Sequence, residues 1–589
     1  MPDFHDYLVD SGLDRRNFVK RAAALALAVP AVGSLLAACG SSSSKSTATT
    51  AAAAAATSTP TPQITINQNA SPVATTAAAA GTSTTAAVAG KKGGKVTFLR
   101  TDEADIYDPV LNDANTVIWI IGNVYETLVK PNKDSNGIEP GLAEKYNVSS
   151  DGLTVTFNLR AAKFSDGSDL TPDDVIFSLT RARDTDVSPW TFTMTEVKNI
   201  TAPDASTVVV TLAQPWAPFL AGVAMFNGGI VSKAFFDKNA QETNNTGTGK
   251  SAKGIGLPGM QSMGTGPYVI TNWQLDQQTV LSRNDHYWDS TLPYLDEIKI
   301  LQVPDANSEI LQMQSGSVDG LIGQSSVPFN RVAELQKDPK LQVLILPASY
   351  AGNIQFNIEK PPLNDIHFRR ALNYATDVKT LISTVVYGLG KPSNSFMPIG
   401  SLYWNPDQEP YPFDLDMAKS ELAMSATPTG GKVEVLTPPG NAQTETEATT
   451  LKDMWSKIGV DLTITPTDPQ VSRARILAHN FQMRIAAWTN DMIDPDEIVG
   501  YYITPENSEN ARSGWTNQQA IDLAHAAQAE QDPDKRRQDY YDIQKIYKET
   551  GPMIFTFDIP YVVVLSTKVK NYGQTPLGAY LFATMSLES

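Results

Sequence analysis

Residues 153–160, LTVTFNLR, alternate apolar and polar side chains, the period of a strand with one face buried. Ser150, Asp151 and Gly152 form a turn just before it. The period then changes. In LTPDDVIFSLTRARD, residues 170–184, Val175, Ile176 and Leu179 fall on one helical face. Thr171 is placed to cap that helix, Pro172 suits its first position, and Asp174 brings an acid to its first turn. Strands are predicted again over 207–212 (TVVVTL) and 297–303 (EIKILQV). Near the C-terminus, Asp532 as cap, Pro533 as first residue and Gly551-Pro552 as stop delimit one further helix. Apolar patterning starts near residues 93–100, GGKVTFLR, and no solenoid-length repeat is visible. The body is therefore α/β in class.

The N-terminus follows a different logic. Residues 13–21, LDRRNFVKR, are basic, with Arg15 and Arg16 adjacent, and an apolar run with Pro30 and Gly33 follows. That run is slightly short for a spanning helix and has the order of a secretory signal. The arginine pair before Asn17, Phe18, Val19 and Lys20 resembles a twin-arginine export signal, although the general secretion route is also open to it. Residues 36–40, LAACG, resemble a lipobox, the site where a bacterial lipoprotein is acylated on cysteine and cut just before it. Cys39 is the only cysteine in the chain, so it forms no internal disulfide and is expected to carry the lipid. Residues 1–38 are thus expected to be the signal, and 39–92 a lipidated tether. Ser, Thr, Ala, Gly and Pro dominate that tether, which has too few apolar side chains to offset the entropy of ordering.

Composition narrows the partners. The net charge is -17, the reverse of a nucleic-acid-binding footprint, so no nucleic acid is expected. The five histidines, His5, His286, His367, His479 and His525, are scattered without metal-ligand spacing, so no direct metal site and no cofactor are expected.

Several blocks, in order, carry a family resemblance. They are YETLV (125–129), IEPGLAEKY (138–146), SDGLTVTFNLRAAKFSDGSDLTPDDVIFSL (150–179), GTGPY (264–268), NIQFNIEKPPLNDIHFRRALNYATD (353–377), AAWTNDMIDPDEIV (486–499) and GPMIFTFD (551–558). The chain resembles the family 5 extracellular solute-binding proteins, the peptide-, dipeptide- and nickel-binding lipoproteins of ABC importers. The resemblance implies a two-lobed periplasmic-binding-protein-like fold of class II type, enlarged as in the peptide binders, with a hinge and an interlobe cleft. Lobe I is expected at 94–350, lobe II at 351–551, and a return to lobe I at 552–589. It further implies a monomer on the outer face of the bacterial membrane that captures a solute by hinge closure and passes it to a permease with ATPase subunits. The chain has no phosphate loop of its own.

The resemblance also implies the site. In the family's peptide binders an aspartate after a tryptophan-containing turn pairs with the ligand's amino terminus, and the matching residue is Asp491, with Trp488 beside it. Asp491 also suits a turn or helix cap. Tyr125, Tyr350, Trp404 and Trp515 match positions that line the family's cleft or its approach, and each also suits ordinary packing. Arg473, Arg475, Arg484 and Arg512 are available for a ligand carboxylate, and Asp102 and Glu103 follow the first strand. Short peptides are the expected ligand; a saccharide, an opine-like compound or chelated nickel is the alternative within the same fold, and a transporter-less sensor lipoprotein the alternative role. A secreted hydrolase would need an acid pair such as one within DMIDPDE, but no GxSxG elbow is present, and no enzyme activity is expected.

Overall fold

The computed structural model describes residues 92–102, 106–112, 114–185, 188–244, 253–505 and 512–588. Cys39, Arg15, Arg16, His5, Glu103 and the tether lie outside the described residues. Those described fall within one compact unit, Ala77–Ser589. They build three main sheets.

The first sheet has seven strands, in the order Tyr268–Gln274, Gln278–Arg283, Glu297–Gln302, Lys95–Arg100, Gly320–Leu321, Tyr561–Ser566 and Leu341–Leu346. Lys95–Arg100 runs parallel to Glu297–Gln302 with Val96 opposite Ile298 and Phe98 opposite Ile300, all fully buried. A satellite sheet of four antiparallel strands, Ala143–Val148, Thr154–Leu159, Thr207–Leu212 and Val197–Asp204, carries the helix Pro172–Asp184 and its own core around Phe157, Val175 and Leu179. Together these form lobe I. Lobe II is a six-stranded sheet ordered Lys391–Pro392, Met553–Asp558, Tyr350–Phe356, Met483–Thr489, Lys432–Thr437 and Asp461–Pro466.

Lobe II has a core on each face, and the strand Met553–Asp558 shows how. Met553 and Phe555 pack with Tyr540, Tyr547 and Trp515 on one side, while Ile554 and Phe557 pack with Ile354 and Leu372 on the other. Every residue of this strand is buried. It pairs with Tyr350–Phe356, so it belongs to lobe II and not to the returning segment expected from 552. The chain first crosses to lobe II between Leu346 and Tyr350, and returns between Asp558 and Tyr561. A strand buried on both faces carries no polar alternation to show which sheet it joins.

Caps hold the helices where the sequence predicts them. Asp174 Oδ2 accepts from the Thr171 backbone N–H at 3.0 Å and from its hydroxyl at 2.6 Å. Asp532 accepts from the N–H groups of Asp534 and Lys535 at the head of Pro533–Thr550. Among the described residues no helix is long and apolar enough to cross a membrane.

Candidate functional site

A cavity of about 1190 Å³ lies between the lobes. Its lobe II wall begins where the parallel strands Lys432–Thr437 and Asp461–Pro466 end, at Thr437, Pro438 and Thr467. Residues just beyond the carboxyl ends of parallel strands face the crevice in such sheets. The helix Pro469–Leu477, capped by Asp468, extends the wall and brings Arg473 to it. The strand Met483–Thr489 and the loop after it supply Arg484, Trp488 and Asp491. Lobe I closes the other side with Trp190, Phe192, Glu196 and Trp216.

The acidic corner of this cavity is built on hydrogen bonds. Glu497 Oε2 accepts from the backbone N–H groups of Asp491 at 2.9 Å and Met492 at 2.8 Å, which fixes the loop that carries the Asp491 carboxylate. Burial raises the Glu497 carboxyl well above its ordinary range, and the neighbouring Asp491 charge adds to the rise. Burial, followed by the Asp494 charge, pushes Asp496 up to about 6, and Gln528 donates to Asp496 at 2.8 Å. Beneath the loop, Arg536 donates to both oxygens of Asp494 at 2.5 and 2.7 Å, a buried bidentate pair that ties the loop to the helix Pro533–Thr550. Asp491 is half-buried, and its charge is the second cause, after burial, that raises the Tyr561 hydroxyl. Asp491 therefore sits where the lobe II loop meets the lobe I strand Tyr561–Ser566.

Trp488 stands beside it, held by an Nε1–H bond of 2.7 Å to Asn490 Oδ1 and by Tyr501 at a ring separation of 4.2 Å. Arg484 donates to Gln355 Oε1 at 2.7 Å and to the Tyr501 hydroxyl at 3.3 Å, so its guanidinium is already engaged. Arg475 is paired with Glu434 at 2.6 Å, and Arg512 does not line the cavity. Arg473 is half-buried on the wall, and among the described residues no hydrogen bond or ion pair holds its guanidinium.

Of the six residues marked as ligand candidates, the structure brings Asp491 and Trp488 to the cavity wall. The other four lie elsewhere. Tyr125 is 2% exposed in the lobe I core, where Gly264 of the GTGPY block packs against it so closely that a Cβ would lie 2.8 Å from its ring. Trp515 is buried against Tyr547 at 4.9 Å, in a lobe II core. Trp404 packs on that core and donates to Asn394 Oδ1 at 2.7 Å. Tyr350 starts a lobe II strand opposite Thr489, and burial raises its hydroxyl to about 12. Asp102 is exposed and away from the cavity. His367 and His479 each bond one glutamate, Glu421 and Glu359, and among the described residues no three His, Cys, Asp or Glu side chains group to hold a metal ion.

Sequence reasoning missed the lobe I wall. Trp190, Phe192, Glu196 and Trp216 lie about 300 residues before the strand they face, and no spacing rule links them. The one usable sign is the aromatic density of SPWTFT, residues 188–193.

A two-lobed sheet protein with a cavity between its lobes, polar at one corner and aromatic along one wall, has the architecture of a solute-binding protein. The chain belongs to the bacterial extracellular solute-binding proteins, family 5, whose model matches residues 137–510. The family consists of non-catalytic binding proteins that serve ABC importers outside the cytoplasm, so a small solute and an importer permease are its partners. The chain is 30% identical over 492 residues to heme-binding protein A of Haemophilus influenzae, covering 79% of this chain and 87% of that one. It is 27% identical over 495 residues to the dipeptide-binding protein of Escherichia coli, with 79% and 89% covered. The solved structure of the DppA periplasmic binding protein from Helicobacter pylori in complex with the peptide STSA superposes with a TM-score of 0.71 at 26% identity, over 85% of this chain and 99% of that one.

Proposed function

We propose that this protein is a lipid-anchored receptor for short peptides that delivers them to an ABC importer. One observation carries the reading: Asp491 presents a carboxylate on the wall of the interlobe cavity, on a loop braced by Glu497 and by the Asp494–Arg536 pair. A carboxylate in that setting suits a peptide's free amino terminus, because a charge-assisted bond out of bulk water gains strength as well as direction. Trp488 and Tyr501 flank the position, and Arg473 is placed for the peptide carboxylate. The dipeptide-binding relative and the peptide-bound DppA structure support the same class of ligand. Cys39 carries the lipid, and Arg15 and Arg16 direct export through the twin-arginine route.

A second reading has its own support. The 30% identical relative is named for heme, and the lobe I wall offers Trp190, Phe192 and Trp216 to a large flat solute.

Native mass spectrometry of the full-length protein, extracted in detergent from its own membranes, tests both readings. The peptide reading expects released masses that sequence as short peptides, with loss of that cargo in Asp491→Asn. The same spectra report diacylglyceryl mass on Cys39. A non-peptide mass retained equally by Asp491→Asn removes the peptide reading, and an unmodified Cys39 removes the anchor.

A further inference from the structure

The cavity holds a second acidic position, on the opposite lobe. Glu196 is the one ionisable residue that lobe I contributes to the wall among the described residues. Its place is fixed by the backbone. The Ala213 N–H donates to the Glu196 carbonyl at 2.8 Å, and the next residue, Val197, starts the strand paired with Thr207–Leu212. Its half-buried carboxylate has no hydrogen bond or ion pair among the described residues. A half-buried carboxylate without a partner is costly once the cleft closes and water leaves.

Its neighbours on the wall are aromatic. Trp190 is pinned by its Nε1–H bond to the Asn112 carbonyl at 2.9 Å and by the edge-on ring of Phe226 at 5.0 Å. Phe192, Trp216 and the Gln214 amide lie on the same wall. Aromatic faces accept both the methylene stem and the cationic head of a long basic side chain. The balance of charge agrees. Among the described residues Glu196, Asp491, Asp496 and Glu497 bring carboxyl groups to the cavity. Burial raises Asp496 and Glu497 toward the neutral form, which leaves Glu196 and Asp491 as the acidic positions, one on each lobe, while Arg484 of the two wall guanidinium groups is already bonded to Gln355. The volume of about 1190 Å³ leaves ample room for a long side chain beyond a short peptide's backbone.

We infer that Glu196 forms a second ligand subsite that takes a cationic group, the ammonium or guanidinium of a lysine or arginine side chain, while Asp491 holds the amino terminus. The inference rests on the peptide reading above and gives that ligand a side-chain preference. It also makes each lobe read one positive charge of the same ligand, so a dicationic peptide favours the closed form more than a monocationic one.

The test is calorimetry on the full-length protein in detergent at low salt. The probes are Ala-Lys-Ala and Ala-Ala-Lys, their norleucine counterparts of matched shape, and N-acetyl-Ala-Lys-Ala. At least one lysyl peptide is expected to bind about tenfold more tightly than its norleucyl partner. Glu196→Gln is expected to remove that advantage while leaving the norleucyl peptides within about twofold. Arg473→Gln serves as the second variant. If Glu196 merely pairs with Arg473 on closure, Glu196→Gln weakens lysyl and norleucyl peptides alike, and does so no longer in the Arg473→Gln background; that result overturns the subsite. Equal binding of lysyl and norleucyl peptides by the wild type overturns it too, while loss of affinity on N-acetylation leaves the Asp491 reading standing. Failure of all five peptides to bind overturns the peptide reading, and the Glu196 subsite with it.

Discussion

At the scale of single residues, the protein carries several carboxyl groups with too little polar company. Glu447, on the helix Ala442–Ser456, is 5% exposed, its Oε1 has no hydrogen-bond partner among the described residues, and burial alone raises its carboxyl to about 8. Tyr350 is close enough for the Glu447 charge to raise its hydroxyl further. Glu309 reaches about 8, Asp558 about 7 and Asp496 about 6, each with burial as the first cause. The sign is the same for all four. The native state binds protons that the unfolded chain has already released, so stability is full below the ordinary carboxylate range and is lost as pH rises through 6 to 8. Glu447→Gln keeps the shape and removes the titration. Urea unfolding between pH 5 and 8.5 is therefore expected to show a flatter profile for this variant, with a gain on the order of a few kcal/mol over wild type at the alkaline end, at up to ~1.4 kcal/mol per pH unit. Parallel profiles for the two proteins would show that Glu447 stays ionised in the fold.

At the scale of elements, what was legible depended on how local the physics is. The helices Pro172–Asp184 and Pro533–Thr550 begin where their caps and prolines indicate. A cap is decided within four residues, so the sequence displays it in full. Asp174 does more than its position in the chain reveals, because its Oδ1 also accepts the Lys233 N–H at 2.9 Å and so ties two helices together. Asp174→Ala leaves three donors without that acceptor. We expect a loss of about 2–3 kcal/mol in unfolding free energy, above the ~1 kcal/mol of a simple cap, measured by denaturant titration at pH 7. A loss no larger than that of Thr171→Ala would show that the link to Lys233 adds nothing. The site was legible in the same uneven way. Asp491 and Trp488 share one loop and one strand end, so a short motif displays them. Tyr125 and the GTGPY glycines also sit in conspicuous motifs, yet the close fit of Gly264 and Gly266 on Val124 shows that those motifs serve packing. A motif alone does not separate the two uses; burial does.

At the scale of the whole molecule, the lobes meet through contacts that no local pattern displays. Met492 and Ile493, 1% and 5% exposed, follow Asp491 directly and pack with Trp190, Ala221 and Met225 of lobe I. Their loop belongs to lobe II, through the buried Asp494–Arg536 pair and the Glu497 bonds. The Ala217 N–H of lobe I also donates to the Gln528 carbonyl at 2.7 Å, and the Gln528 side chain bonds Asp496 in the acidic corner. If the lobes swing apart, these apolar side chains become exposed while each lobe keeps its own core. The residue proposed to receive the ligand is thus covalently next to the residues that join the lobes, and on that proposal ligand capture has a direct route to closure. Truncating Ile493 should therefore weaken closure and spare the fold. With the competent state less populated, apparent affinity falls by the same fraction. Ile493→Ala is expected to weaken ligand binding by about tenfold, almost all of it in the dissociation rate, while the ligand-free melting temperature changes little. X-ray scattering of the ligand-free variant should show a larger radius of gyration than wild type. A variant that melts well below wild type but releases ligand at the same rate would place Ile493 in the stability of one lobe, and closure would then have to be driven by the ligand alone.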